Sequence, residues 1–349
     1  MIRPRYTVVL VIPTGIGAAI GGYAGDALPI ARAVGSVCDH LITHPNVMNG
    51  AQLYWPLDNG LYVEGYALDQ FAQGLWGLQP VASNRIGLIL DQGIEPELLT
   101  RQLQAAEATR ATLGLTLTDY VLTDAPLQVE LRMTATGSSW GTLGNPDSLL
   151  RAAERLIHQA KATAIAVVSR FPDDVDQLVL HHYRQGQGVD PLSGAEAVIS
   201  HLIVRSFQIP CAHAPALSPL PLDSSISPRS TAEEIGYTFL PSVLVGLSRA
   251  PQLTAHPTPQ SLWAQDVNAL LIPASACGGS AVLSLARTPS LIIAVENNRT
   301  QLQVPPEPLG LNALKVNSYL EAIGVLVAHR QGINLECFQP QFPTLPRLG

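Results

Sequence analysis

The segment Asn268–Asn298, NALLIPASACGGSAVLSLARTPSLIIAVENN, constrains the fold more than any other part of the chain. Ala269–Ile272 is apolar, too short for a helix and closed by Pro273, so it reads as a strand buried on both faces. A small-residue turn and a short helix over Ala281–Arg287 follow, and Leu291–Val295 then returns as a second apolar strand. Two buried strands joined by a helical crossover pair in parallel. The same alternation recurs at Thr7–Ile12, Arg85–Leu90 and Ala164–Val168. The expectation is a mostly parallel, three-layer α/β protein with glycine-rich loops at the carboxyl ends of its strands.

Open α/β sheets bind ligands at those strand ends. In the central segment Cys277 opens the Gly278-Gly279-Ser280 loop, where backbone amides and a helix N-terminus would favour an anion or a thiolate. Glu296, Asn297 and Asn298 leave the following strand on the same rim. An equally physical reading makes the glycines a tight turn and Cys277 a small buried hydrophobe.

Further candidates come from two other loops. Thr14, Gly15, Gly17, Gly21 and Gly22 follow the first strand, with Asp26 as the N-cap of the next helix. The glycine spacing there is GxGxxxG, and the second strand ends in His44-Pro45-Asn46 instead of an acid, so a nicotinamide dinucleotide site is disfavoured. His44, Asn46 and Asn49 sit in a turn whose amides can also simply bond their own backbone. A strand over Leu127–Thr134 empties into Thr136, Ser138 and Ser139; with Arg132 these could clamp an anion, although Glu130 offers Arg132 an ordinary partner on its own strand face.

Ser193 and Glu196 have capping-box spacing at the start of a helix ending near Phe207, which accounts for that glutamate structurally. His201 lies in the same helix without a visible partner. Cys211 and His213, two apart, share one face of a strand, but no spaced Cys/His set completes a zinc site. The polar stretch 171–229 reads as a link or lid between an α/β half over 1–170 and a second over 230–349, packed as one unit.

Charge narrows the partners. The net charge is −7, Lys161 and Lys315 are the only lysines, and no basic run exists, which argues against nucleic acid. Two lysines cannot furnish a threefold Ser–Lys amidohydrolase, and no loop ends in the Gly-Lys-Ser/Thr of a nucleotide hydrolase. Four scattered cysteines without a CxxC pair argue for reduced thiols, and no segment approaches a membrane span. The expectation is a cytoplasmic protein, stromal if plastid, without a membrane partner. With 47% hydrophobic and 13% charged residues, homo-oligomerisation is expected as well.

Taken together, IPTGIGAAIGGYAGDA, ITHPNVMNGAQLYW, GVDPLSGAEAVISHLI, PCAHAPAL, IPASACGGSAVL and VENNRT resemble an uncharacterised family of cyanobacterial and plastid-lineage proteins, domain of unknown function 3326. The resemblance spans Thr7 to about Asn334 and implies a single full-length unit in a cyanobacterial setting. It supplies no catalytic residue, substrate or cofactor.

The functional expectation is therefore an enzyme acting on a small anionic metabolite, phosphorylated or carboxylated. In its sharpest form it is a Cys-dependent transferase or hydrolase, with Cys277 as nucleophile, His213 or His44 as base and the Gly278 and Gly279 amides as oxyanion donors. A second form uses Glu296 or Asp26 as the base and dispenses with the thiol. The alternative is a non-catalytic module that binds a metabolite or cofactor and regulates a partner protein.

Overall fold

A computed structural model describes residues 5–50, 53, 55–135, 137–173, 177–231, 239–342, 344–345 and 347. Its larger sheet has six strands: β1 (Thr7–Leu10), β2 (His40–Thr43), β3 (Gly60–Tyr62), β12 (Val267–Pro273), β13 (Leu291–Val295) and β14 (Ala313–Val316). Their order is β14-β13-β12-β1-β2-β3, and every pair is parallel. The second sheet, also all parallel, runs β10-β9-β5-β6, with β5 (Ile86–Leu90), β6 (Leu117–Leu122), β9 (Ala164–Arg170) and β10 (Cys211–Ala216). The expected parallel α/β class is thus realised in two sheets. These sheets group the chain differently from the sequence-based halves: the six-stranded one joins both ends of the chain, and the four-stranded one comes from 86–216.

Alternation along β1 explains why the strands carry continuous apolar runs. Val8 and Leu10 enter one hydrophobic cluster and Val9 the other, so helices must cover both faces. Residues of both sheets belong to each cluster, so the sheets share their helical layers. Each fully buried Val, Leu or Ile contributes roughly 1.5–3 kcal/mol. Helices α1 (Leu28–Gly35) and α10 (Tyr319–Gln331) contribute to the first cluster, while α3 (Gly65–Ala72), α5 (Pro146–His158), α7 (Ser193–Phe207) and α9 (Ser280–Leu285) contribute to the second. A further helix, α8 (Phe239–Ser248), packs beside β9 and β10 and against both α4 (Pro96–Leu113) and the one-turn α2 (Pro45–Met48).

Two small antiparallel pairs complete the fold. β4 (Gly77–Gln79) pairs with β11 (Gln252–Thr254), and β7 (Val129–Met133) with β8 (Ser139–Leu143). β8 lies so close to the start of α7 that a Cβ on Gly194 would stand 2.2 Å from the Trp140 backbone, and one on Gly141 would stand 2.4 Å from the Ala195 side chain. Two glycines meeting face to face let a hairpin press directly on a helix.

Asn298, expected at the rim of a site, is fully buried and acts as a clamp. Its Oδ1 accepts the Ile20 N–H at 2.9 Å, and its Nδ2 donates to Ile20 O at 2.9 Å and to the Tyr319 hydroxyl at 2.8 Å. The glycine loop after β1 is thereby tied to α10. Asn298→Ala leaves these groups without partners in the interior, and urea unfolding should register a loss of about 2–4 kcal/mol; an unchanged midpoint would show that the clamp carries no stability.

Candidate functional site

The chain leaves β1 toward β2 on one side, while β12 leads to β13 on the other, so the β1–β12 seam is the topological switch point of the larger sheet. A cavity of about 450 Å³ opens at the carboxyl ends of these strands. Val11, Thr14 and Ile272 line it from the seam, and His44 and Asn46 from beyond β2; the start of α7 and the end of β10 close the far side. Leu180, Tyr183 and Arg184, on a helix over Gln177–Arg184 (α6), add to the wall. Stretch 171–229 thus contributes ordered structure, α6, α7 and β10, directly to the site.

Glu64 is the most unusual group in this wall. It is 5% exposed, and its Oε2 caps α3 by accepting the N–H groups of Tyr66 at 2.8 Å and Ala67 at 3.2 Å. Oε1 is then left to face α7, where it meets His201 Nε2 at 2.7 Å. Burial alone would drive the His201 pKa down, but the hydrogen bond to Glu64 and the charges of Glu64 and Asp69 outweigh it, and the net shift is upward. With Nε2–H held by the carboxylate, Nδ1 becomes the atom that gains and loses a proton. A Cβ on Gly65 would stand 3.2 Å from Nε2, so this glycine leaves the imidazole its seat.

A second pair lies alongside. His213 Nε2 stands 3.7 Å from Glu196 Oε2, and His213 Nδ1 lies 3.3 Å from the Ser200 hydroxyl. That hydroxyl is in turn 3.5 Å from Glu64 Oε1. The capping-box expectation for Glu196 is corrected: Ser193 bonds instead to Ser139 Oγ and Asp190 O, which frees the glutamate to face the cavity. Asp69 also lines the cavity, and burial raises its pKa.

His44 lines the same cavity but is poorly suited to be a base. Burial lowers its pKa to about 4, and the Ile12 N–H donates to Nε2 at 3.2 Å, a bond that only the unprotonated nitrogen can accept. The neutral ring must carry its proton on Nδ1, so it offers the cavity chemistry a donor.

Cys277 departs furthest from expectation. It is fully buried behind the loop, its thiol donates to Ala274 O at 3.6 Å, and burial pushes its pKa up to about 11. A nucleophile requires the opposite shift, so the alternative of a small buried hydrophobe describes it. Gly279 and Ser280 do line the cavity, while Gly278 packs on Val304.

The remaining candidates are divided. Thr14, Asn46 and Asn49 reach the cavity wall; Asn46 also donates to Gly21 O at 3.0 Å, and Asn49 accepts the Tyr62 hydroxyl at 2.8 Å. Gly15, Gly17 and Gly21, all at positive φ, and Gly22 shape the loop behind Thr14. Asp26 accepts the Gly21 N–H and pairs with Arg229 at 3.1 Å, so it braces that loop and stands outside the wall. Arg132 pairs with Glu130 at 2.9 Å on the exposed hairpin, Ser138 bonds to Thr134, and Ser139 bonds to Ser193. Thr136 lies outside the described residues. Glu296 and Asn297 are exposed beyond β13 and do not line the cavity. Two of the three expected loops therefore share the site, and the hairpin loop supports it from behind.

Missing from the sequence-derived site were Glu64, Asp69, Ser200 and His201. The signal that could have found Glu64 is the Glu-Gly-Tyr run immediately after a strand, an acid at an N-cap position. Nothing local joins it to a histidine 137 positions later.

The model for the family described as protein of unknown function, DUF3326, matches residues 7–339. An uncharacterized lipoprotein of a Synechococcus species is 58% identical over 342 residues, covering 97% of this chain and 95% of its own. No solved structure matches the chain. The relative's name corrects one expectation: a free cytoplasmic location does not stand beside a lipoprotein of such close sequence. Among the described residues no helix is long and apolar enough to cross a membrane.

Two outcomes follow. A thiol alkylating reagent applied to the native protein near neutral pH should label the exposed Cys337 quickly and leave buried Cys38, Cys211 and Cys277 until unfolding, as read by peptide mass spectrometry; fast labelling of Cys277 would restore the reactive-thiol reading. For His44, the unfolded ring binds a proton near 6.5 and the folded one only near 4. Stability is therefore present above the unfolded value and is lost as pH falls through this window, by roughly 3 kcal/mol at most. His44→Gln should flatten the decline in urea midpoint; an unaltered slope would exclude His44 as its source.

Proposed function

The chain belongs to the DUF3326 family, and we propose from the chemistry of its cavity that it is an enzyme performing proton transfer on a small, largely apolar molecule. The observation that carries this reading is the His201–Glu64 pair at 2.7 Å, a buried carboxylate and an imidazole on the wall of a switch-point cavity. A base needs a nearby acid to fix its tautomer and stabilise its charged form, and Glu64 does both for His201. Proton transfer by a positioned group of this kind contributes about 10²–10⁴-fold to a rate.

The lining also bears on the substrate. Glu64, Asp69, Asp190 and Glu196 line the cavity with Arg184 as its one arginine among the described residues, whose guanidinium donates to Pro221 O at 2.9 Å, an arrangement that repels a multiply charged phosphate ester. Leu180, Leu217, Phe239, Val243 and Val282 suit a hydrocarbon body. The substrate this favours has little net negative charge, an apolar part, and one polar end carrying the proton that moves. An apolar substrate also suits a relative that is named a lipoprotein.

The test is to incubate the full chain with a cyanobacterial cell extract and follow all compounds by mass spectrometry. The expected result is one compound consumed and another formed by the native protein, with conversion reduced about 10²–10⁴-fold in a folded Glu64→Gln variant. A compound that co-purifies unchanged and is never converted would replace this reading with that of a metabolite-binding module.

A further inference from the structure

We propose that the Ser200 hydroxyl couples His201 and His213 into one proton relay, so that the site takes a proton from one atom of its substrate and returns one to another, an isomerisation. The proposal rests on the acid–base reading above and adds to it the reaction class.

The geometry is a continuous path along one side of the cavity. His201 Nε2 meets Glu64 Oε1 at 2.7 Å, the same oxygen lies 3.5 Å from Ser200 Oγ, and that hydroxyl lies 3.3 Å from His213 Nδ1. Ser200 and Glu64 are both buried, which shields the middle of the path from water, while both histidines line the cavity. Its ends are therefore two stations and its centre is one hydroxyl.

A hydroxyl has a single proton to donate, and this makes the stations interdependent. When His213 is neutral with Nδ1 bare, Ser200 donates to it and Glu64 keeps its full charge for His201. When His213 is charged, Nδ1–H donates to Ser200, and the hydroxyl turns to Glu64 Oε1 at 3.5 Å or to Ala197 O at 3.4 Å; turned to Glu64, it weakens the carboxylate's hold on a charged His201. Each histidine thus disfavours the charge of the other through the serine. Other groups act on the path as well: Asp69 from α3, Glu196 from α7, Cys211 on β10, and His44, Asp190 and Arg184 across the cavity.

The steps balance. A substrate X–H bond breaks as its proton passes to His201 Nδ1, and the bonding pair stays on the substrate. The Nε2 proton of His201 moves to Glu64 and on to Ser200 Oγ while that hydroxyl gives its own proton to His213 Nδ1. His213 then releases its Nε2 proton to a second substrate atom, where a new bond to hydrogen forms. Both rings then carry their proton on Nδ1. The site resets when solvent in the cavity protonates His213 Nε2, the His213 Nδ1 proton returns through Ser200 and Glu64 to His201 Nε2, and His201 Nδ1 gives its proton back to solvent. No electrons are gained or lost, and water is the only exchange partner.

The experiment is a pH titration of the full chain labelled with nitrogen-15 histidine, read by NMR and requiring no substrate. In the native chain His201 and His213 should each titrate in two steps, the second step of one coinciding with the first of the other. Ser200→Ala should reduce each to a single step, and Ser200→Thr, which keeps the hydroxyl, should retain the coupling. Independent single-step titrations in the native chain would overturn the relay, as would two-step curves that survive in Ser200→Ala. Conversion of an extract compound by a protein whose histidines titrate independently would remove the relay and leave the acid–base reading standing.

Discussion

The pairing of β1 with β12 is the constraint on which the rest of the structure depends. It joins a strand near one end of the chain to one some 260 positions later, in parallel register from Val8 opposite Ala269 to Leu10 opposite Leu271. Both strands are buried on both faces, so the pairing is possible only if helices cover the sheet above and below. The chain departs from the seam in opposite directions, and the gap this leaves at the strand ends is the mouth of the cavity. Site and seam are consequences of one topological choice.

Around that gap the protein buries charge selectively. Glu64 is costly to remove from water, and a buried carboxylate with one partner deleted commonly loses about 3–5 kcal/mol. Its two oxygens act on different elements, one capping α3 and the other holding His201. The cap fixes the carboxylate's position and so the imidazole's, which is the preorganisation an acid–base site requires. By contrast, the buried cysteines have carbonyl acceptors or apolar neighbours, and their thiols are pushed away from the reactive form.

Much of the fold was legible from local pattern. Apolar runs of four to seven residues bounded by proline or glycine became strands, and the short helix expected over Ala281–Arg287 runs from Ser280 to Leu285. The strand-end loops were also legible, and two of them do border the cavity. The chemistry within them was not. Cys277 looked reactive because thiols near glycines and helix starts often are, but it is fully buried as a member of the second hydrophobic cluster. Glu196 looked like a cap because a serine stood three residues earlier; Ser139, on a hairpin far away in sequence, claimed that serine instead.

The sequence alone therefore determined the alternation of strands and helices, the parallel class, and the loops at the strand ends, because these depend on hydrophobic periodicity and backbone conformation within short windows. The tertiary structure decided which titratable groups meet. Glu64, Ser200, His201 and His213 come from a helix start, the middle of another helix and a strand of the second sheet. Their proton chemistry is set by contacts of 2.7, 3.3 and 3.5 Å and by burial, and both exist only once the two sheets and their shared helices are packed.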